Sequence, residues 1–306
     1  MTAPALDDVR AALRRACPGI DVSSVRMLDA GHTSSQWVAE TDEGPLLVKV
    51  PRRQPEAEHL RRLLVSTRRA AEGGVPVVRF RALLGWHDEL AGPVLVQEFQ
   101  AGEPASAVWE RSGDDHRLAL SGELGRIVGQ LHRIEGNWFG DPLGAERAPS
   151  WGLAVEAELD GLLGQVADDL TDLVPAVRSA SVAAVKALDD SASVPALTHG
   201  DLWLPNVLVR DGKVSCLLDF EHARYADRFR DFGKLDEHIF DGFPAGREAF
   251  LQSYQATCPL PADYRARIEL GSLVHALTMH CYFRRWAPQW APQYADQVRA
   301  WLDRNS

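Results

Sequence analysis

Three oxygen-bearing side chains crowd one stretch of the chain: Asp201 and Asn206 in HGDLWLPN, and Asp219 at the end of VLVRDGKVSCLLD. A loop carboxylate can accept the proton of an attacking hydroxyl. An amide oxygen beside a second carboxylate suits a hard divalent cation such as Mg2+. Between Asn206 and Asp219, two β-branched runs at 207–209 and 214–218 flank Asp211 and Gly212, a dipeptide that marks a hairpin. A two-residue turn there pairs Arg210 with Lys213. Counting back sets Asn206 opposite Leu217, with Asp219 one diagonal step further, about 7–8 Å away and within reach of a shared cation. A base, a cation site and a defined spacing are the set that phosphoryl transfer requires. Asp231-Phe232-Gly233 lies outside this hairpin and reads as the start of a helix, with Asp231 capping it or pairing with Arg224 or Arg228.

These groups need a scaffold, and the texture of the chain changes near residue 100. Before it, residues 24–28, 35–40 and 45–50 read as a meander of strands, with Asp42 to Gly44 as a turn. Residues 55–72 read as a helix stopped by Gly73 and Gly74. VPVVRFRALLGW and GPVLVQEF add two strands, so five strands carry one helix inserted after the third. Beyond Gly102, residues 118–134, 156–170 and 174–188 have apolar residues at helical spacing, as does the chain from Asp231 onward. The hairpin is the one β interruption in this helical part.

Composition narrows the partners. A chain of 306 residues with 45% hydrophobic residues can bury one large core or two smaller ones. A formal net charge of −10 and a pI near 5.5 argue against a nucleic-acid partner and fit small or cationic ones. Cys17, Cys216, Cys258 and Cys281 are far apart, which indicates neither a disulfide framework nor a zinc cluster. The expected setting is therefore the cytoplasm. No apolar run is long enough for a membrane span, and the N-terminus reads as an amphipathic helix rather than a signal peptide. The expected assembly is a monomer or weak dimer.

HGDLWLPN followed by LLDFEHA resembles the aminoglycoside phosphotransferase family of antibiotic and small-metabolite kinases, which are relatives of the protein kinases. The helix ending GRIVGQLHRIEGNWFG and the strands VPVVRF and VLVQEFQAG extend the resemblance over most of the chain. It implies an α+β, two-lobed protein-kinase-like fold. Residues 1–99 would be a nucleotide-binding lobe of five antiparallel strands plus a helix. Residues 100–306 would hold the catalytic loop, metal site and substrate pocket. It further implies ATP or GTP with Mg2+, Asp201 as base, and Asn206 and Asp219 as metal ligands. The DFG tripeptide at Asp231 matches the protein-kinase metal motif in spelling, but its place outside the hairpin favours Asp219.

The same resemblance puts Lys49, in the third strand, against the nucleotide phosphates. A carboxylate of the next helix would hold it; Glu56 and Glu58 are both in range, with Glu58 favoured as deeper in the helix. A lysine in an apolar strand is also what a solvent-facing edge strand carries. Ser34 and Ser35, beside Gly31, would line the phosphate loop, and adenine would meet main chain around Glu98 and Gln100. His199 and His132 read as structural. Downstream, Asp227, Asp236, Glu237 and Glu269 would suit a polyamine, whereas an aromatic group that includes Trp286 would suit a sugar, nucleoside or macrolide. The expected activity is O-phosphorylation of a hydroxylated small molecule, in the first reading an antibiotic. A metabolic kinase for choline, an amino alcohol, a fructosamine or a sugar is the alternative, and a non-catalytic kinase-like binding module is the reading from another class.

Overall fold

The computed structural model describes residues 6–28, 34–51, 57–166, 168–188 and 193–305. β1 (Val22–Leu28), β2 (Ser34–Thr41), β3 (Leu46–Pro51), β4 (Phe80–His87) and β5 (Gly92–Glu98) form an antiparallel sheet in the order β1-β2-β3-β5-β4. The expected five strands are present, with α2 (Ala57–Glu72) inserted after the third. On α1 (Leu6–Ala16), Val9, Ala12 and Leu13 recur at helical spacing and pack with Trp37, Leu46, Val48 and Val50 in one core. Because side chains alternate along a strand, Lys49 faces the opposite side of the sheet. β3 is hydrogen-bonded on both sides, to β2 and to β5. The edge-strand reading of Lys49 is therefore wrong: the lysine sits in the central strand.

On that opposite side, Leu60, Leu63 and Ala70 of α2 and Leu95 of β5 enter a second core built largely from the C-terminal part of the chain. The segment that leaves α2 is also tied there, since the Pro76 carbonyl accepts the Leu217 N–H at 2.7 Å. That C-terminal part runs through β6 (Glu103–Pro104), α3 (Ala105–Arg111), α4 (Asp114–Leu131), β7 (Phe139–Gly140), β8 (Arg147–Ala148), α5 (Trp151–Leu163), α6 (Asp168–Thr171) and α7 (Val174–Ala187). It continues with β9 (Ala196–Thr198), β10 (Val207–Arg210), β11 (Lys213–Leu217), β12 (Arg224–Ala226), α8 (Phe232–Leu235), α9 (Pro244–Thr257), α10 (Tyr264–Trp286) and α11 (Ala291–Asn305). A π-helical turn, Asp236–Phe240, follows α8. None of the described helices is long and apolar enough to cross a membrane.

Two expectations need correcting. The single helix expected over 156–170 is two, because α5 stops at Gly164 and α6 begins at Asp168. The hairpin is also not the sole β element beyond residue 100: β8, β7, β12 and β9 form a four-stranded sheet whose strands are too short to show alternation.

The hairpin itself forms where expected. Asp211 (φ +53°) and Gly212 (φ +74°) both take the positive φ that a type I′ turn demands, and Arg210 pairs with Lys213. Further in, Val209 pairs with Val214 but Leu208 pairs with Cys216, which leaves Ser215 as a bulge. The register beyond it moves by one, so Val207, not Asn206, lies opposite Leu217. Beyond the bulge, strand alternation sends Cys216 and Leu217 to opposite faces, each into a different core.

Helices α4 and α9 cross closely, since a Cβ on Gly125 would sit 2.2 Å from the Phe250 carbonyl oxygen. Gly125→Val is expected to lower stability by about 1–3 kcal/mol through overpacking, read as an earlier urea midpoint.

Candidate active site

The loop after β9 is fixed before any reactive group is considered. Gly200 has φ +78°, and a Cβ there would lie 2.3 Å from the His222 carbonyl oxygen, so only glycine fits. The N–H groups of His199 and Gly200 donate to Asp231 Oδ2 and Oδ1, each at 2.7 Å. Asp231 Oδ2 also lies 3.1 Å from His132 Nε2, and His132 Nδ1 is 2.9 Å from the Tyr254 hydroxyl. Burial would raise the Asp231 pKa. The His132 hydrogen bond, the field of His132 and the His199 N–H together hold it below the usual carboxylate range instead. Asp231 thus pairs with neither Arg224 nor Arg228, which contact Glu158 and the Cys258–Pro259 corner respectively. Sequence reasoning missed this because the partners lie 99 and 32 residues away along the chain.

From that loop, Asp201 projects into a cleft of about 690 Å³. His199 Nδ1 accepts the Asp201 N–H at 3.2 Å, so Nε2 carries the proton given to the Leu218 carbonyl at 2.7 Å. One imidazole therefore ties the loop to the end of β11. Asn206, on a turn started by Leu204 and Pro205, donates from Nδ2 to the Asp201 carbonyl (2.8 Å) and to Asp201 Oδ2 (2.9 Å). Its own carbonyl accepts the Leu218 N–H at 2.8 Å, which brings it next to Asp219. Asp219 adopts a left-handed backbone (φ 55°, ψ 65°) that few residues other than glycine, asparagine and aspartate tolerate. Its Oδ1 lies 2.8 Å from Lys49 Nζ.

Asp201, Asn206, Asp219 and Lys49 are thus brought together. The donor set fits a hard cation: the Asn206 amide nitrogen is committed to Asp201, which turns its Oδ1 away from that carboxylate, and Asp219 supplies a charged oxygen. Other residues fall differently. Glu58 is exposed, and the carboxylate at Lys49 is Asp219. Glu56 and Gly31 lie outside the described residues. Ser34 is buried and Ser35 half-buried at the start of β2. The Glu98 N–H donates to the Arg79 carbonyl at 2.8 Å, and Gln100 is half-buried just past β5. Lys234, which the sequence reading passed over, contacts Asp201 Oδ1. Its signal was available, three residues after the buried Asp231.

Most of the acceptor-pocket expectations are not met. Asp227 accepts the Phe229 N–H and pairs with buried Arg267 at 2.7 Å, so its work is structural. Asp236 pairs with Arg247 at 2.9 Å. Glu269 is exposed, and Trp286 is 55% exposed; neither lines the cleft. Glu237 stands behind the wall, receiving His275 Nε2 and the Tyr294 hydroxyl at 2.6 Å each, and those two residues do face the cleft. Trp203, His238 and Tyr282 complete that side.

A family model described as "Phosphotransferase enzyme family" matches residues 24–270. A "Probable ketoamine kinase" from Synechocystis sp. is 36% identical over 90 residues, 29% of this chain and 28% of that protein, so the match spans less than a third of the relative's length. A thermostable mutant of aminoglycoside phosphotransferase APH(4)-Ia, in ternary complex with AMP-PNP and hygromycin B, aligns with a TM-score of 0.74 at 14% identity, covering 97% of this chain and 98% of that one. A fructosamine-kinase-like protein of Haemophilus somnus aligns with a TM-score of 0.66 at 16% identity, covering 97% and 96%. At such identities the structural likeness shows the fold, a kinase-like sheet followed by a helical part.

Two measurements test the electrostatics. Asp231→Ala strips three donors of their acceptor in a buried site, and a loss of about 3–5 kcal/mol is expected in chemical denaturation. Burial pushes the Asp236 carboxyl up to about 6 despite the opposing Arg247, with Asp241 adding to the rise. The folded protein then holds this proton more tightly than the unfolded chain, whose value is near 3.8. Its contribution is full below about pH 4 and is lost as pH rises through about 6. Asp236→Asn should remove about 1–3 kcal/mol of that pH dependence between pH 4 and 7, measured as denaturation midpoints across the range.

Proposed function

The chain belongs to the phosphotransferase enzyme family, and from that premise we propose that it moves the terminal phosphate of ATP or GTP to a hydroxyl of a small molecule. The observation that carries this reading is the convergence of two hydrogen-bonded pairs, Lys49 with Asp219 and Asp201 with Asn206, from the sheet, the loop and the hairpin end, joined where the Leu218 N–H meets the Asn206 carbonyl. Asp201 orients the acceptor hydroxyl and takes its proton. Asn206 Oδ1 and Asp219 would hold Mg2+, which would neutralise charge on the transferring phosphate. Lys49 reaches the nucleotide phosphates from the central strand, with Ser34 and Ser35 at the neighbouring strand's start and Gln100 beside the base. Residues 1–99 serve as the nucleotide lobe and 100–306 as the catalytic and acceptor lobe.

For the acceptor, three of the four carboxylates that would have drawn a polyamine are tied up, by Arg267, Arg247 and the His275–Tyr294 pair, and Glu269 lies outside the cleft. The local 36% identity to a ketoamine kinase supports a metabolic acceptor, a sugar-derived ketoamine. An antibiotic is the second reading, supported by the likeness to the APH(4)-Ia fold.

The test is a screen for added phosphate, by mass spectrometry, across ketoamines, hexoses, choline and aminoglycosides with Mg2+ and either nucleotide. Asp201→Ala should lower turnover at least about 100-fold with nucleotide affinity unchanged. Asp219→Ala should remove Mg2+-dependent nucleotide binding. Nucleotide binding without transfer to any acceptor would leave the binding-module reading in place of this one.

A further inference from the structure

Resting on that phosphotransferase reading, we propose that Lys234 is a positioning residue for Asp201, holding the plane of the carboxylate that receives the acceptor hydroxyl. A carboxylate on a short side chain turns easily about its last bond unless both oxygens are held. Asp201 has both held, and from different elements. Asn206 Nδ2 donates to Oδ2 at 2.9 Å, while Lys234 Nζ, on α8, donates to Oδ1.

Lys234 is itself constrained. Its side chain is only 14% exposed, and its ammonium lies 4.8 Å from the Trp203 ring centroid, a cation–π distance. The Trp203 ring in turn rests on His238, with centroids 5.2 Å apart, on the π-helical turn after α8. The backbone at Lys234 is pinned as well: a Cβ on the preceding Gly233 would lie 2.7 Å from the Cβ of His275, so α8 packs directly on α10. Asp231 lies at the start of the same helix. Four consecutive residues therefore grip the loop twice, its backbone through Asp231 and its reactive side chain through Lys234. An exposed lysine meeting a carboxylate by chance would show neither the burial nor the aromatic seat.

The test combines kinetics with a stability cycle. Lys234→Met should lower kcat roughly 10–100-fold, the scale of a misplaced catalytic group, while the nucleotide KM stays within about twofold. Lys234→Arg, which keeps a cationic donor, should recover part of that loss. In an Asp201→Ala background Lys234→Met should cost nothing further, since it acts through Asp201. Wild-type kcat in Lys234→Met, or a loss that adds in full to that of Asp201→Ala, would overturn the proposal. If the wild-type protein phosphorylates no acceptor, the phosphotransferase reading fails, yet the pair remains decidable by denaturation. Non-additive shifts of the urea midpoint in the two single variants and the double variant support the contact, and additive shifts overturn it.

Discussion

A carboxylate sealed from water organises the candidate active site. Asp231 is 2% exposed, and an unpartnered charge at such depth would be prohibitively costly. It is tolerated because two loop N–H groups and His132 all converge on it. The same convergence dictates the path of the backbone from His199 to Asp201 and leaves Gly200 pressed against the His222 carbonyl. His199 carries the constraint onward to Leu218, and so to Asp219. Charge burial and loop geometry are thus one problem with one solution.

The second requirement is that Lys49, in the sheet, meet Asp219, on a hairpin 170 residues later. The hairpin is anchored from both parts of the chain. Its Leu217 N–H goes to Pro76 beside the sheet, and its Val214 N–H goes to the carboxylate of Glu123 on α4, at 2.9 Å. Helix α2 adds bridges from Arg62 to Asp141 and from His59 to Glu221, two residues past Asp219. The His59 hydrogen bond is the main reason the Glu221 carboxyl lies below its ordinary value, against the effect of burial. The Lys49–Asp219 contact is therefore held by covalently remote but mechanically short paths.

How much of this was legible in the sequence depended on range. The Asp211–Gly212 turn was readable because its demand for positive φ is local. The five strands and α2 were readable because their periodicity runs over whole elements. Ser215 as a bulge was not: a slip of one residue depends on which core each of Cys216 and Leu217 meets, and those cores are assembled from Val78 and from α4 and α9. Asp231 was read only in part for the same reason. It starts a helix as its position suggests, but its partners are His132, just past α4, and the loop after β9. The acidic residues expected in the pocket misled because a formal charge says nothing about whether an arginine already holds it, as Arg267 holds Asp227.

The buried clamp also bears on how the loop exchanges protons with solvent. Surface-loop amides ordinarily trade hydrogen for deuterium quickly, because small local openings suffice. The amides of His199 and Gly200 bond instead to a carboxylate walled in by His132, just past α4, which Tyr254 of α9 backs. Freeing them means breaking two hydrogen bonds to a buried carboxylate and uncovering its charge. Two amides in a loop are thereby expected to exchange more slowly than their neighbours, because each opening exposes a buried charge.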